Sequence, residues 1–246
     1  RDIVDIIWFP TGGGKTEAYL AVTAFIIFYR RMKYPSAADG TAILMRYTLR
    51  LLTSQQFARA STLICACEQI RKELKKNDRS VNPGWQNPIS IGLWIGGDHT
   101  PNKTKSSHQG DDKSAEYYVK KLTDAGNGRN DIAYRNEKYN HFQVLACPWC
   151  GASLVPVNVQ SGAREKWGYR MSGGHFQLQC VRPRCPFEKQ LPIQVVDDEL
   201  YESPPTLLFA TVDKFAMMAW NEKIGAFFAV GSSNRAPELI IQDELH

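Results

Sequence analysis

The first 33 residues hold a short apolar run, a glycine cluster that ends in Lys-Thr, and a long helical pattern, and this succession constrains the fold more than any other feature of the chain. Ile3 to Phe9 reads as a strand rich in β-branched residues, and a helix is predicted from about Lys15 to Lys33. Between them lies Thr11-Gly12-Gly13-Gly14-Lys15-Thr16. Glycines let a backbone wrap closely around a phosphate and aim several N–H groups at it, and the N-terminus of the following helix adds its own field. Such a turn predicts ATP binding, with Lys15 on the β and γ phosphates and Thr16 on Mg²⁺. The general pattern G-x-x-x-x-G-K-[ST] asks for Gly where this chain has Phe9.

The same strand-then-helix theme recurs. Thr41 to Tyr47 reads as a strand and Leu49 to Lys76 as a helix; Ile89 to Ile95, Thr206 to Ala210 and Leu239 to Gln242 read as further strands, with a helix near Val212 to Trp220. About five buried strands alternating with helices predict an α/β fold, a mostly parallel sheet flanked by helices. With 246 residues, 43% hydrophobic and 22% charged, the chain has the core-forming capacity of one domain with an inserted subdomain. The strand pattern lapses between Gly97 and Thr206. Asp98 to Asn140 is polar with little periodicity, and His141 to Ile193 carries paired cysteines. The expected organisation is residues 1–97 as the first part of the ATP-binding domain, 98–200 as an insertion, and 201–246 as its second part.

Within the insertion, Cys147-Pro-Trp-Cys150-Gly151 followed by Cys180 and Cys185 gives C-x2-C-x29-C-x4-C. A tight C-x2-C turn with glycine after it lets backbone N–H groups face thiolate sulfur, as four-coordinate Zn²⁺ requires. The second pair is looser, so His141 or His175 could replace one of its cysteines. Structural zinc is the expectation, against two disulfides or unligated thiols. Cys65 and Cys67, two apart in a predicted helix, are expected to be buried thiols on different faces. This cysteine usage suits a reducing compartment, and the cytoplasm is the expected location. The most apolar run, Ala18 to Tyr29, is too short for a membrane span of roughly 20 residues, so no membrane partner is expected. A net charge of +5 permits nucleic-acid binding without demonstrating it.

A phosphate loop needs an acidic partner at the end of a neighbouring strand to hold Mg²⁺. Val195-Val196-Asp197-Asp198-Glu199 and Leu239-Ile240-Ile241-Gln242-Asp243-Glu244-Leu245-His246 compete for this role. The second is preferred because its strand is longer, and because Asp197 lies at the edge of the cysteine insertion, before Pro204-Pro205. Three more segments follow strands: Arg46 to Gln55, Gly96-Gly97-Asp98-His99-Thr100-Pro101, and Thr211-Val212-Asp213-Lys214. A hydroxyl, amide or backbone N–H at such a place can bond a nucleic-acid phosphate without reading sequence. Thr48 and Thr211 are equally suited to capping a helix. Arg50 and Arg59 could add a basic face.

Phe9-Pro-Thr-Gly-Gly-Gly-Lys-Thr16, with the D-E-x-H run and these three segments in order, resembles the first RecA-like domain of superfamily 2 DNA helicases, and more closely the helicase subunits of bacterial DISARM anti-phage systems. Tyr47 replaces the proline of that family's P-T-x-x-L-x-x-x-Q pattern, while Thr48, Leu51 and Gln55 match. The resemblance implies a RecA-like P-loop fold and ATP-driven DNA translocation in phage defence. In it, Asp243 binds Mg²⁺ through water, Glu244 orients the hydrolytic water, and His246 couples nucleotide state to DNA. Thr48, Arg50, Gln55, Gly97, Thr211 and Lys214 touch the DNA backbone. It further implies a DrmB-like protein partner and a second RecA-like domain of the parent chain, without which a chain of this extent binds ATP weakly and hydrolyses it poorly. Two other readings stay open. One is a zinc-stabilised, nucleotide-dependent switch or scaffold that binds a partner protein; the other is a nucleic-acid-binding zinc module on an inactive P-loop fold.

Overall fold

The computed structural model describes residues 14–47, 54–77, 82–106, 113–124, 132–157 and 165–242. In chain order these form α1 (Lys15–Lys33), β1 (Ile43–Tyr47), α2 (Ser54–Asn77), β2 (Ile91–Trp94), α3 (Ala115–Thr123), α4 (Ile132–Tyr139), β3 (Tyr169–Ser172) and β4 (His175–Leu178). β5 (Ile193–Gln194), α5 (Asp197–Glu202), β6 (Leu207–Thr211), α6 (Val212–Ala216) and β7 (Leu239–Gln242) follow. Five strands make one sheet in the order β5-β2-β6-β1-β7, and every pairing is parallel. This is the expected α/β layer. The run Ile3 to Phe9, expected as a further strand, lies outside the described residues.

Side-chain alternation sorts this sheet into two cores. Ile43, Met45, Leu93, Phe209 and Ile241 face α1 and α2, where Ile27, Phe57 and Ile64 cover them. Leu44, Trp94, Leu208 and Ala210 face the other way, under Leu200 of α5 and Ile224 and Phe227 of the 3-10 turns after α6. Strands buried on both faces read as continuous apolar runs, which is why they were legible in the sequence.

Two arginines at the end of the apolar run of α1 are buried. Arg30 donates to the carbonyls of Ala38, Asp39, Thr41, Arg235 and Ala236 and to the Glu238 carboxylate at 2.7 Å. It thereby joins the end of α1 to the segments that enter β1 and β7. Arg31 donates to the carbonyls of Gly84, Asn87 and Pro88, ahead of β2. Burial pulls its pKa down to about 10, still charged at neutral pH. Both sets of acceptors precede strands, so the C-terminal end of α1 sits at the sheet's N-terminal edge. The helix runs antiparallel to the strands and carries Lys15 to the opposite edge.

The described residues between 98 and 140 are less irregular than their polarity suggested. Ser114 accepts the N–H of Tyr117 and caps α3, which buries Tyr118, Val119 and Leu122. The ring of Phe142 stacks on Phe176 at 4.2 Å and on Tyr169 at 5.1 Å, joining this part to the β3–β4 hairpin. The segment expected to end the insertion returns to the main sheet, since β5 pairs with β2 and α5 covers it. The expected boundary at residue 200 therefore falls inside α5.

Candidate functional site

Because all five strands are parallel, their C-terminal ends share one edge, the usual place for ligands in open α/β sheets. Tyr47 stands opposite Thr211, Arg46 opposite Gln242 and Trp94 opposite Ala210. Gly97 follows β2 by three residues, and Gln55, exposed, lies in the first turn of α2 after β1. Gly14, with φ 78°, precedes the first turn of α1 and accepts the N–H of Ala18. Lys15 and Thr16 stand in that turn. Gly14, Lys15, Thr16, Gln55, Gly97 and Thr211 are thus brought to the same edge. Thr11, Gly12, Gly13, Thr48, Arg50, Asp243, Glu244 and His246 lie outside the described residues.

The first turn of α1 is tied to α2 by an ion pair between Glu17 and Arg59. The Glu17 carboxylate also accepts its own backbone N–H, and these contacts hold its pKa below the usual carboxylate range. The helix end and Arg59 together hold the Glu17 carboxylate.

Lys214 reaches an acidic residue rather than open solvent. Its ammonium donates to Asp197 Oδ2 at 2.5 Å and stands 5.7 Å from the Trp94 ring centre. The pair joins two of the segments singled out as DNA contacts, because the Asp197 N–H bonds to the Pro101 carbonyl at 3.2 Å while Lys214 belongs to the turn that begins at Thr211. Burial drives the Asp197 pKa up to about 6, and Lys214 only partly offsets it. Asp198 and Glu199 serve local structure: Asp198 Oδ2 accepts the Thr104 N–H, and Glu199 Oε1 accepts that of Phe176. All three acids of this segment are thus engaged within the fold. Thr211 precedes α6, but its hydroxyl makes no capping bond, and the residue is buried.

The four cysteines of the insertion converge, their Sγ atoms all within 4.8 Å of one another. The Sγ atoms of Cys150 and Cys180 are 3.5 Å apart, far beyond the 2.05 Å of a disulfide. Sulfurs on a tetrahedral Zn²⁺, at about 2.3 Å from the metal, stand roughly 3.8 Å apart, and the observed cluster fits that size. In the first knuckle Gly151 has φ +71° and its N–H bonds to the Cys147 carbonyl. The second closes with the Arg182 N–H on Cys180 Sγ at 3.4 Å. Burial pushes the Cys147 thiol up to about 11. At Cys150 burial also acts upward, but the Ala152 N–H and the neighbouring thiols outweigh it and leave that thiol below its ordinary range. Neither histidine joins the cluster: His141 stacks on Tyr118 at 4.3 Å, and His175 is exposed. Cys65 and Cys67 are both buried. No helix among the described residues is long and apolar enough to cross a membrane.

No known family model matches the chain. Over 284 residues, spanning all of this chain, it is 35% identical to the DISARM protein DrmA of Bacillus paralicheniformis. The chain spans 23% of the length of that relative.

Proposed function

We propose that this chain, related throughout its length to a DISARM DrmA protein, is the first RecA-like domain of an ATP-dependent DNA helicase or translocase that acts in anti-phage defence. The observation that supports this most is the convergence on one sheet edge of Lys15 and Thr16 with Gln55, Gly97 and Thr211, and with Gln242, after which Asp243-Glu244-Leu245-His246 follows in sequence. In this reading Thr11 to Gly14 cradle the ATP phosphates, and Lys15 neutralises β and γ charge. Thr16 and Asp243 hold Mg²⁺, Glu244 orients the attacking water, and His246 links the nucleotide to the DNA edge. Thr48, Arg50, Gln55 and Gly97 hold the phosphodiester backbone without reading bases, whereas Thr211 is buried and ends β6 instead. Lys214, bonded to Asp197, holds the Thr211 turn beside the Gly97 to Pro101 segment. The residues between β2 and β5 form an inserted subdomain, and Cys147, Cys150, Cys180 and Cys185 bind a Zn²⁺ that folds it. A second RecA-like domain of a longer polypeptide and a DrmB-like protein complete the machine in a bacterial cytoplasm.

ATP hydrolysis by the full-length protein, with and without DNA and beside Lys15→Ala and Glu244→Gln, tests this reading. Stimulation by DNA that vanishes in both variants is expected. Nucleotide binding with no response to DNA would replace the motor with a nucleotide-dependent switch.

A further inference from the structure

The outer face of the cysteine knuckles carries an aromatic ring and two cations that the reading above leaves unused. Trp149, between the first two cysteines, is 41% exposed, yet its ring is braced edge-on by Phe187 at 5.8 Å. The residue before it is docked on α2, where the Thr62 hydroxyl donates to the Pro148 carbonyl at 3.1 Å. An exposed indole held this way loses little freedom when something stacks on it. Beside it, Arg182 donates to the carbonyl of Cys150, the residue after Trp149, at 3.2 Å. Arg184 is exposed, and its backbone N–H takes the Glu188 carboxylate. Neither guanidinium pairs with a carboxylate among the described residues. Two guanidiniums without a carboxylate partner among the described residues, Arg182 at the knuckle of the fixed indole and Arg184 two residues on, match a strand of unpaired DNA, bases on the ring and phosphates on the arginines.

The position supports the same partner. Gln55, Arg59 and Thr62 are spaced i, i+4, i+7 and share one face of α2. That face descends ~10 Å from the turn of Gln55 to the contact of Thr62 with the first knuckle. We infer that Trp149, Arg182 and Arg184 form a second DNA contact that continues the track leaving the sheet edge at Gln55. The inference rests on the reading of that edge as one that grips DNA.

The test uses the full-length, zinc-loaded protein, a fluorescent single-stranded oligonucleotide and DNA-stimulated ATP hydrolysis. Trp149→Ala and the double variant Arg182→Ala/Arg184→Ala are each expected to weaken oligonucleotide binding about ten-fold. The DNA concentration for half-maximal hydrolysis should rise by a similar factor, with zinc content unchanged. Trp149→Phe should keep most of the affinity, and the double variant should show a salt dependence shallower by about one to two ions released. DNA-stimulated variants that hold zinc and bind the oligonucleotide as the parent does would overturn this inference while leaving the edge reading in place. Parent protein that ignores DNA altogether would overturn the edge reading itself. Unchanged DNA binding with loss of a co-purifying protein would make the face a protein contact instead.

Discussion

Lys214 and Asp197 form a shielded ion pair, 2.5 Å from Nζ to Oδ2, between a turn that follows β6 and a helix that follows β5. The side chains are 14% and 6% exposed, and Asp197 Oδ1 has no hydrogen-bond partner among the described residues, so the pair is only partly satisfied there. Trp94 packs against it, Asp198 adds a like charge, and Lys223 draws Asp198 outward at 3.6 Å.

Replacing Lys214 with Met strands a buried carboxylate and should cost about 3–5 kcal/mol at pH 8. The Asp197 pKa is raised on folding, from an ordinary 3.8 to about 6. The stability linked to its neutral form is therefore complete below about pH 4 and fades as pH rises through 6. Without Lys214 the pKa rises further, so the variant should come closest to the parent at pH 5 and fall furthest behind at pH 8. Thermal unfolding of both proteins at the two pH values checks this. An equal deficit at both would show that the charge of Asp197 is not what Lys214 supports.

Gly92 gives α5 its close approach to β2. A Cβ at this position would meet Leu200 Cδ2 and Pro205 Cγ at 2.5 Å, and Leu208 Cδ1 at 3.2 Å. Gly92→Ala should destabilise the protein by about 1–3 kcal/mol through overpacking, and Gly92→Val by more. A chemical denaturation midpoint unchanged by either substitution would show that α5 can move away without loss.

The parallel strands were legible because burial on both faces leaves uninterrupted apolar runs such as Ile43 to Met45 and Leu207 to Ala210. The cysteine cluster was legible because the C-x2-C turn and its glycine state their own geometry. β5 was missed because its two paired residues are too few to show a period, and α5 because an acidic trio after two valines resembles a strand end. α3 could have been found from Ser114 as a cap ahead of Tyr118, Val119 and Leu122. In the sequence Arg30 and Arg31 simply follow the apolar run that ends at Tyr29. Nothing in local sequence announces that their acceptors lie in residues 38–41, 84–88 and 235–238.

Arg30 cannot be replaced by another cation. Its fork serves five carbonyls and one carboxylate through Nε, Nη1 and Nη2, whereas a lysine offers three hydrogens at one nitrogen. Arg30→Lys should therefore lose about 3 kcal/mol or more despite keeping the charge, since several buried carbonyls lose their donors. Loss of amide protection from hydrogen exchange should be concentrated in residues 38–42 and 235–239. A variant with parent-like protection there would show that the carbonyls find other donors.

The zinc reading makes a prediction that separates the four clustered cysteines from their neighbour Cys65. Cys65 lies in α2, where burial, with nearby Cys185 adding to it, pushes its pKa up to about 12. It is nonetheless not one of the four sulfurs that lie mutually within 4.8 Å. Elemental analysis of the purified protein should give about one zinc per chain. Cys147→Ser and Cys185→Ser should each lower that content sharply and expose the insertion to protease, because metal affinity in such a module is folding free energy. Cys65→Ala should keep the full zinc content while paying only for a small buried void, on the order of 1 kcal/mol. Zinc retained after Cys147→Ser but lost after Cys65→Ala would reverse the assignment and place the ligand set on α2.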